Sequence, residues 1–103
     1  MQNLKNRIII VTGGSGGIGI VACELMAQRG AHVVLAELDG DRANREASRL
    51  CKEGLQATAI QTDVVKKSSV EAMITEVFSK HGRIDGLVNN AAMFSRVPMS
   101  RVG

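Results

Sequence analysis

A glycine-rich segment and one acidic residue, Glu37, are the parts of this sequence whose types and spacing could bind a ligand. The segment reads Thr12-Gly-Gly-Ser-Gly-Gly-Ile-Gly19 and directly follows the apolar run Ile8–Val11. Where a buried strand leads into a helix, the helix N-terminus presents unsatisfied N–H groups and a partial positive charge. An anion such as a phosphate binds there if no side chain blocks its approach. The segment therefore predicts a phosphate-binding turn; the alternative is a glycine-rich turn that holds no ligand.

Three glycines of this segment and its serine have separate roles in that interpretation. Gly13 permits the sharp turn, Gly17 permits close approach of the phosphate, and Gly19 lets the helix pack tightly on the strand, while Ser15 can donate a hydroxyl hydrogen bond. Glu37 lies eighteen positions after Gly19, at the end of the second apolar run, where a carboxylate can accept both hydroxyls of an adenosine ribose. Loop and carboxylate together predict a dinucleotide site. The alternative for Glu37 is a solvated carboxylate at a strand end.

The residues around Glu37 favour NAD over NADP as the cofactor. A carboxylate repels a 2′-phosphate, and NADP sites usually supply an arginine or lysine instead. Positions 14–16 read Gly-Ser-Gly, and Leu38 follows Glu37, so neither place holds a basic residue. Arg42 could still compensate the charge of a 2′-phosphate, which keeps NADP open as the less favoured choice.

The elements that must position these residues alternate between two periods. The short apolar, β-branched run Ile8–Val11 suits a strand buried on both faces, three further runs are interpreted as strands, and three stretches with apolar residues at helical spacing lie between the four. The predicted strands are Ile8–Val11, Val33–Ala36, Ala57–Gln61 and Ile84–Asn89, of which the third is weaker and the fourth is interrupted by Gly86. Such an alternation with tight links indicates right-handed βαβ units. We therefore predict an α/β fold with a parallel sheet.

Apolar stripes and glycine stops define the three predicted helices. The stripes comprise Ile18, Val21, Ala22, Leu25 and Met26 in the first helix, Ala43, Ala47, Leu50 and Cys51 in the second, and Val70, Met73, Ile74, Val77 and Phe78 in the third. The glycines expected to end them are Gly30, Gly54 and Gly82. Ser68 and Glu71 have the spacing of a capping box, which predicts that the third helix begins at Ser68.

Length and charge limit the class of protein. The 103 residues have room for one domain, 1–103, in which 93–103 shows no period and is predicted to be an irregular tail. The net charge of +3 is scattered and aromatic residues make up 2%, so we expect no nucleic-acid partner. No stretch approaches the roughly 18 apolar residues that cross a bilayer, and the N-terminus does not resemble a signal peptide. We therefore expect no membrane partner and a cytoplasmic localisation.

The cysteines and histidines carry no pattern that indicates chemistry. Cys23 and Cys51 lie on predicted helices, and we expect buried thiols in a reducing compartment, with a disulfide or redox role as the alternative. His32 and His81 have no metal-ligand spacing to each other or to either cysteine. The sequence therefore predicts no metal site, but a histidine at a strand start and one at the surface.

Four motifs in order give the chain a resemblance to a known family. The glycine segment is similar to the T-G-x-x-x-G-I-G loop of the short-chain dehydrogenases/reductases. Asp63-Val64 resembles the family's adenine-contacting pair, Gly82-Arg-Ile-Asp85 its lead-in to strand four, and Asn89-Asn90-Ala91-Ala92 its N-N-A-G motif. The resemblance covers nearly the whole chain, from about Leu4 to Phe94, and implies a hydride-transferring enzyme that uses NAD or NADP.

The resemblance also implies which residues bind the cofactor. The diphosphate and its ribose would be lined by residues of the glycine segment, namely Gly13, Ser15, Gly16, Gly17, Ile18 and Gly19. Glu37 and Leu38 would lie at the adenine ribose. The Asp63 carboxylate would accept a hydrogen bond from the adenine amino group, and Val64 would support the ring.

Residues at the end of the fourth strand complete the implied site. Asn90 and Ala91 would pass beside the ribose near the nicotinamide, and Asn89 would tie the fourth strand to its neighbours. Ala92 departs from the family's usual glycine, which would add strain only if φ were positive there.

The catalytic residues of the family have no counterpart in this sequence. The family uses a Tyr-x-x-x-Lys pair with a serine, because a nearby Lys⁺ lowers the tyrosine pKa and lets the hydroxyl exchange a proton with the substrate. The sequence contains no tyrosine, so we assign no catalytic residue and expect the chain alone to be inactive. It is similar to the front half of such an enzyme, and this resemblance implies a Rossmann-type doubly wound parallel sheet truncated after about four strands in the order 3-2-1-4. The helices of the usual dimer or tetramer interface would then be absent, leaving strand four as a bare edge.

Two function classes follow from this sequence. The first is the NAD-binding portion of a short-chain oxidoreductase, whose parent reaction would be alcohol–carbonyl interconversion. The second is a non-catalytic module that binds a nucleotide or pairs with another chain through its open edge. A receiver domain is disfavoured because glycines stand where its acidic cluster would follow strand one, and a methyltransferase is disfavoured because its glycine loop has a different spacing.

Overall fold

A computed structural model describes residues 3–13 and 17–90 and contains four strands and three helices in strict alternation. The elements are β1 (Ile8–Thr12), α1 (Gly17–Gln28), β2 (His32–Glu37), α2 (Gly40–Lys52), β3 (Gln56–Gln61), α3 (Lys67–His81) and β4 (Gly86–Asn89). The strands form one parallel sheet in the order β3-β2-β1-β4, which confirms the predicted α/β fold and strand order. The predicted tail 93–103 lies outside the described residues. No helix in the described part of the chain is both long and apolar enough to cross a bilayer.

The core lies on both faces of the sheet, as a parallel sheet covered by helices requires. One cluster contains Val11, Leu35 and Leu50 and joins β1 and β2 to α1 and α2. The other contains Ile10, Val34 and Met73 and joins the opposite face to α3. Every residue of β1 is buried, which fits its β-branched, uninterrupted sequence.

Helix α1 packs with a different face from the one its apolar stripe indicated. The buried residues are the small ones, Gly19, Cys23 and Ala27, whereas Ile18 and Val21 are 58% and 55% exposed. Small side chains at four-residue intervals let the helix axis come close to the sheet, and this close approach determines which side is buried. Ile18, Val21 and Leu25 of the predicted stripe therefore lie outside the core, whereas Met26 packs against it. The helix itself is confirmed and ends at Gln28, two residues before Gly30.

Helix α2 confirms most of its predicted face and corrects one residue. Ala43, Ala47 and Leu50 are buried, but Cys51 is exposed, and its Sγ lies 3.3 Å from the carbonyl oxygen of Ala57. Cys23 is buried as expected, and burial raises the pKa of its thiol to about 12. Neither cysteine takes part in a disulfide within the described residues.

Helix α3 begins one residue earlier than the capping box predicts. Its N-cap is Lys66, which makes no side-chain capping bond, so Ser68 already lies in the first turn and does not cap the helix. The neighbouring Ser69 instead accepts a hydrogen bond at 2.9 Å from the main-chain N–H of Asp63. The helix ends at Gly82 as predicted, with its N–H donating to the Phe78 carbonyl.

Strand β4 starts at Gly86 rather than at Ile84, because Asp85 occupies the first position beside β1. The Asp85 carboxylate accepts a hydrogen bond at 2.8 Å from the Ile8 N–H, and the Asp85 N–H donates at 2.8 Å to the Ile8 carbonyl. Arg83 donates to the same carboxylate, with Nη2 at 2.6 Å from Oδ1. These hydrogen bonds lower the pKa of Asp85 to about 2, and the bond from Arg83 has a larger effect than that from the Ile8 N–H.

Candidate cofactor site at the carboxyl edge of the sheet

The carboxyl ends of the central strands bring the predicted site residues to one edge of the sheet. Thr12 at the end of β1 is paired with Ala36 of β2 on one side and with Asn89 of β4 on the other. The Gly13 N–H continues the ladder by donating at 2.9 Å to the Ala36 carbonyl. Gly13 and Glu37 therefore follow directly from neighbouring positions of the sheet, although twenty-four positions of sequence separate them.

The described part of the glycine segment has a backbone suited to an anion site. Gly13 and Gly17 both have positive φ, at 65° and 27°, a conformation that other residues seldom adopt. A Cβ atom built on Gly17 would meet no atom of the described residues within 4 Å, so that these residues leave the start of α1 open to an approaching group. Ile18 is exposed beside it, and Gly19 is buried against the sheet as predicted. Ser15 and Gly16, also predicted to bind the cofactor, lie outside the described residues.

Two asparagines and a threonine fix the turn after β1 to the end of β4. The Thr12 hydroxyl donates at 2.9 Å to Oδ1 of Asn89, which gives Asn89 the tying role that the family resemblance implied. Asn90 is 5% exposed, and its Nδ2 lies 3.3 Å from the Gly13 carbonyl oxygen that accepts its hydrogen bond. Asn90 therefore supports the turn itself, while Ala91 lies outside the described residues.

The acidic side of the site lies where β2 ends. Glu37 is the last residue of β2 and is half-buried; its carboxylate accepts a hydrogen bond at 3.2 Å from the Leu38 N–H. Leu38 itself is 61% exposed. A shallow depression of about 310 Å³ adjoins this turn. Its lining has two acidic side chains and no basic one: Leu38, Asp39, Gly40, Asp41, Asn44 and Gln61.

The turn after β3 holds the residues predicted for the adenine end. Asp63 is half-buried, and its Oδ1 accepts a hydrogen bond at 3.1 Å from the Val65 N–H, which shapes the turn into α3. Val64 is 41% exposed, so an apolar surface is available to a ring at this place. The sequence analysis did not identify Ser69, whose hydroxyl accepts the hydrogen bond from the Asp63 N–H. The one sequence feature that could have indicated this contact is the position of Ser69 in the first turn of α3.

Within the described residues, no group of three or more potential side-chain metal ligands comes together. His32 begins β2 as predicted, but His81 is not a simple surface residue. The two rings meet edge to face with centroids 4.5 Å apart, and Nε2 of His32 lies 2.7 Å from the Thr58 hydroxyl. Burial, and then the charges of His81 and Lys80, lower the pKa of His32. This pair lies at the amino ends of the strands, away from the candidate site.

A family model described as short chain dehydrogenase matches residues 7–102. This chain belongs to the short-chain dehydrogenase family. Among curated relatives in the family, the short-chain dehydrogenase/reductase homolog YusS of Bacillus subtilis is 42% identical over 99 residues, which are 95% of this chain and 91% of YusS. An uncharacterized oxidoreductase of Thermotoga maritima is 38% identical over 92 residues, which are 89% of this chain and 36% of that protein.

Solved structures agree with this family assignment. The crystal structure of hydroxysteroid dehydrogenase from Escherichia coli superposes with a TM-score of 0.85 at 31% sequence identity, over 95% of this chain and 43% of that one. This chain thus spans less than half of the length of the E. coli enzyme and just over a third of the length of the Thermotoga relative.

Proposed function

We propose that this chain is the dinucleotide-binding portion of a short-chain dehydrogenase and that it prefers NAD to NADP. The supporting observation is the direct adjacency of the glycine turn and Glu37, joined by the bond from the Gly13 N–H to the Ala36 carbonyl. An anion-binding turn beside a ribose-binding carboxylate is the arrangement that a dinucleotide requires. Bound NAD would supply a nicotinamide ring that accepts or donates hydride.

Three features of the described residues support this proposal. Gly17 leaves the start of α1 uncovered, so N–H groups of the helix can approach a diphosphate. Asn90 holds the Gly13 carbonyl and keeps the turn in shape. Two acidic side chains and no basic one line the depression beside Leu38, an electrostatic setting that disfavours a 2′-phosphate.

The parent reaction that we propose is NAD-dependent alcohol–carbonyl interconversion. It is supported by the family description and by a structural relative named for dehydrogenation of a hydroxysteroid. Nothing in the described residues selects a substrate.

A second candidate function, a nucleotide-binding module without hydride transfer, is favoured by one observation. The 103 residues include no tyrosine, and the family's proton donor is a tyrosine. We therefore expect the 103-residue chain to bind the dinucleotide and to show no turnover with alcohols or carbonyls. Turnover by this chain alone would contradict the second candidate.

Titration of the chain with NAD, NADP and ADP-ribose tests the proposed binding. We expect NAD and ADP-ribose to bind more tightly than NADP. Glu37→Gln should reduce that preference by about tenfold, because charge-assisted hydrogen bonds to the ribose hydroxyls and repulsion of the 2′-phosphate are both lost. Glu76→Gln is the matched control, since it makes the same change at an exposed carboxylate in the second half of α3, outside the candidate site. A folded chain without affinity for NAD or ADP-ribose at millimolar concentration would overturn the proposal.

A further inference from the structure

The side chain of Gln61 reaches from the end of β3 to the turn that follows Glu37. Gln61 is the register partner of Glu37, so the two residues occupy adjacent positions on the parallel strands β3 and β2. Its Nε2 donates a hydrogen bond at 3.0 Å to the Leu38 carbonyl oxygen. The next residue of the chain strengthens the pairing, because the Thr62 N–H donates at 2.8 Å to the Glu37 carbonyl.

The stem of Gln61 also supports the first residue of α2. A Cβ atom built on Gly40 would lie 3.2 Å from Cβ, 3.3 Å from Cδ and 3.4 Å from Cγ of Gln61. A side chain at position 40 would therefore push the turn away from β3. With glycine there, the main chain at the start of α2 rests on the aliphatic part of Gln61.

Leu38 connects this support to Glu37. Its carbonyl accepts the bond from Gln61, and its N–H donates at 3.2 Å to Oε2 of Glu37. Both polar main-chain groups of Leu38 are thus engaged, which restricts rotation of the turn and, with it, the direction in which the Glu37 carboxylate is presented.

We propose that Gln61 is a positioning residue for cofactor selectivity, a role that rests on the function proposed above. By holding Leu38, it keeps the Glu37 carboxylate where it accepts the ribose hydroxyls of NAD and repels the 2′-phosphate of NADP. A Glu37 side chain on a loosened turn accepts those hydroxyls less well and can turn away from the phosphate. Both changes lower the ratio of Kd for NADP to Kd for NAD.

The test uses Gln61→Met, because methionine keeps an unbranched stem under Gly40 but cannot donate to the Leu38 carbonyl. The matched control is Gln56→Met at the opposite end of the same strand, where the glutamine is also exposed. We expect Gln61→Met to lower the ratio of Kd for NADP to Kd for NAD by about three- to tenfold, the usual effect of one lost hydrogen bond. Gln56→Met should leave the ratio unchanged, and Gln61→Ala provides a second variant if methionine impairs folding.

The outcomes separate this inference from the function on which it rests. If the unsubstituted chain binds NAD and prefers it to NADP, but the folded Gln61 variants keep the same ratio, the positioning role is wrong and the proposed function stands. If the unsubstituted chain binds neither dinucleotide, both fail. A reduced preference in Gln61→Met and Gln61→Ala, with Gln56→Met unaffected, supports the inference, because a general loss of stability would not alter the ratio selectively.

Discussion

Replacing Gly17 by alanine, and making the same change at Gly54, separates ligand contact from backbone strain. Both glycines have positive φ, +27° and +86°, and a Cβ atom built at either position meets no atom of the described residues within 4 Å. Neither methyl group collides with this part of the chain, so each substitution costs the strain of an L-residue at positive φ, about 1–2 kcal/mol. We expect the two variants to lose similar free energy of unfolding in urea titrations.

Only the Gly17 variant should lose affinity for the dinucleotide. Gly17 is the first residue of α1, where the diphosphate would bind, whereas Gly54 follows the end of α2. If the added methyl prevents even one charge-assisted hydrogen bond from a main-chain amide, affinity falls by at least about tenfold. Isothermal titration calorimetry with NAD and ADP-ribose measures this at a temperature where both variants are folded. Equal affinity of the two variants would refute the role of the glycine turn.

Two further predictions concern pH and stability. Asp85→Asn should lower the urea midpoint, because the Ile8 N–H and Arg83 lose a carboxylate partner. In the unsubstituted chain, the stabilisation by this carboxylate is present above pH 4 and is lost as the pH falls through the folded-state pKa of about 2. A midpoint equal to that of the unsubstituted chain at pH 7 would contradict this role. Because the folded-state pKa of His32 lies below its ordinary value of 6.5, the unfolded chain binds more protons as the pH falls through 6.5, and the stability should fall with it. His32→Gln should flatten that slope, and an unchanged slope would exclude His32 as its source.

The parallel sheet could be predicted from sequence because β1 and β2 are apolar along most of their length, as strands covered on both faces are, whereas the strand order rested on the family resemblance. Once those strands are parallel neighbours, the ends at Thr12 and Glu37 must lie at one edge. The adjacency of the glycine turn and Glu37 follows from topology, which is why the main part of the site was predictable.

The packing face of α1 could not be predicted because the helix is apolar on several sides. Ile18, Val21 and Leu25 have the spacing of a core stripe, and so do Gly19 and Cys23 on the buried side. Hydrophobicity alone favours the larger residues, whereas the short distance between helix and sheet selects the smaller ones.

Contacts between residues distant in sequence account for the other differences. The Asp85 carboxylate accepts a hydrogen bond from the N–H of Ile8, 77 positions earlier in the chain, and strand β4 begins at the next residue, Gly86. Gln61 at the end of β3 reaches Leu38, which follows the neighbouring strand β2, and this contact depends on the register of the two strands. Neither interaction has a local spacing signature, since each exists only after the sheet has assembled.

The position of β1 has a consequence for how this chain folds during synthesis. β1 leaves the ribosome before the other three strands, yet it forms the middle of the sheet, with Ile9 paired to Val33 on one side and to Gly86 on the other. The first pairing joins residues 24 positions apart, whereas the second joins residues 77 positions apart. β1 therefore has one apolar edge unpaired until β4 has been made, and chaperone binding in that interval would protect this edge from aggregation.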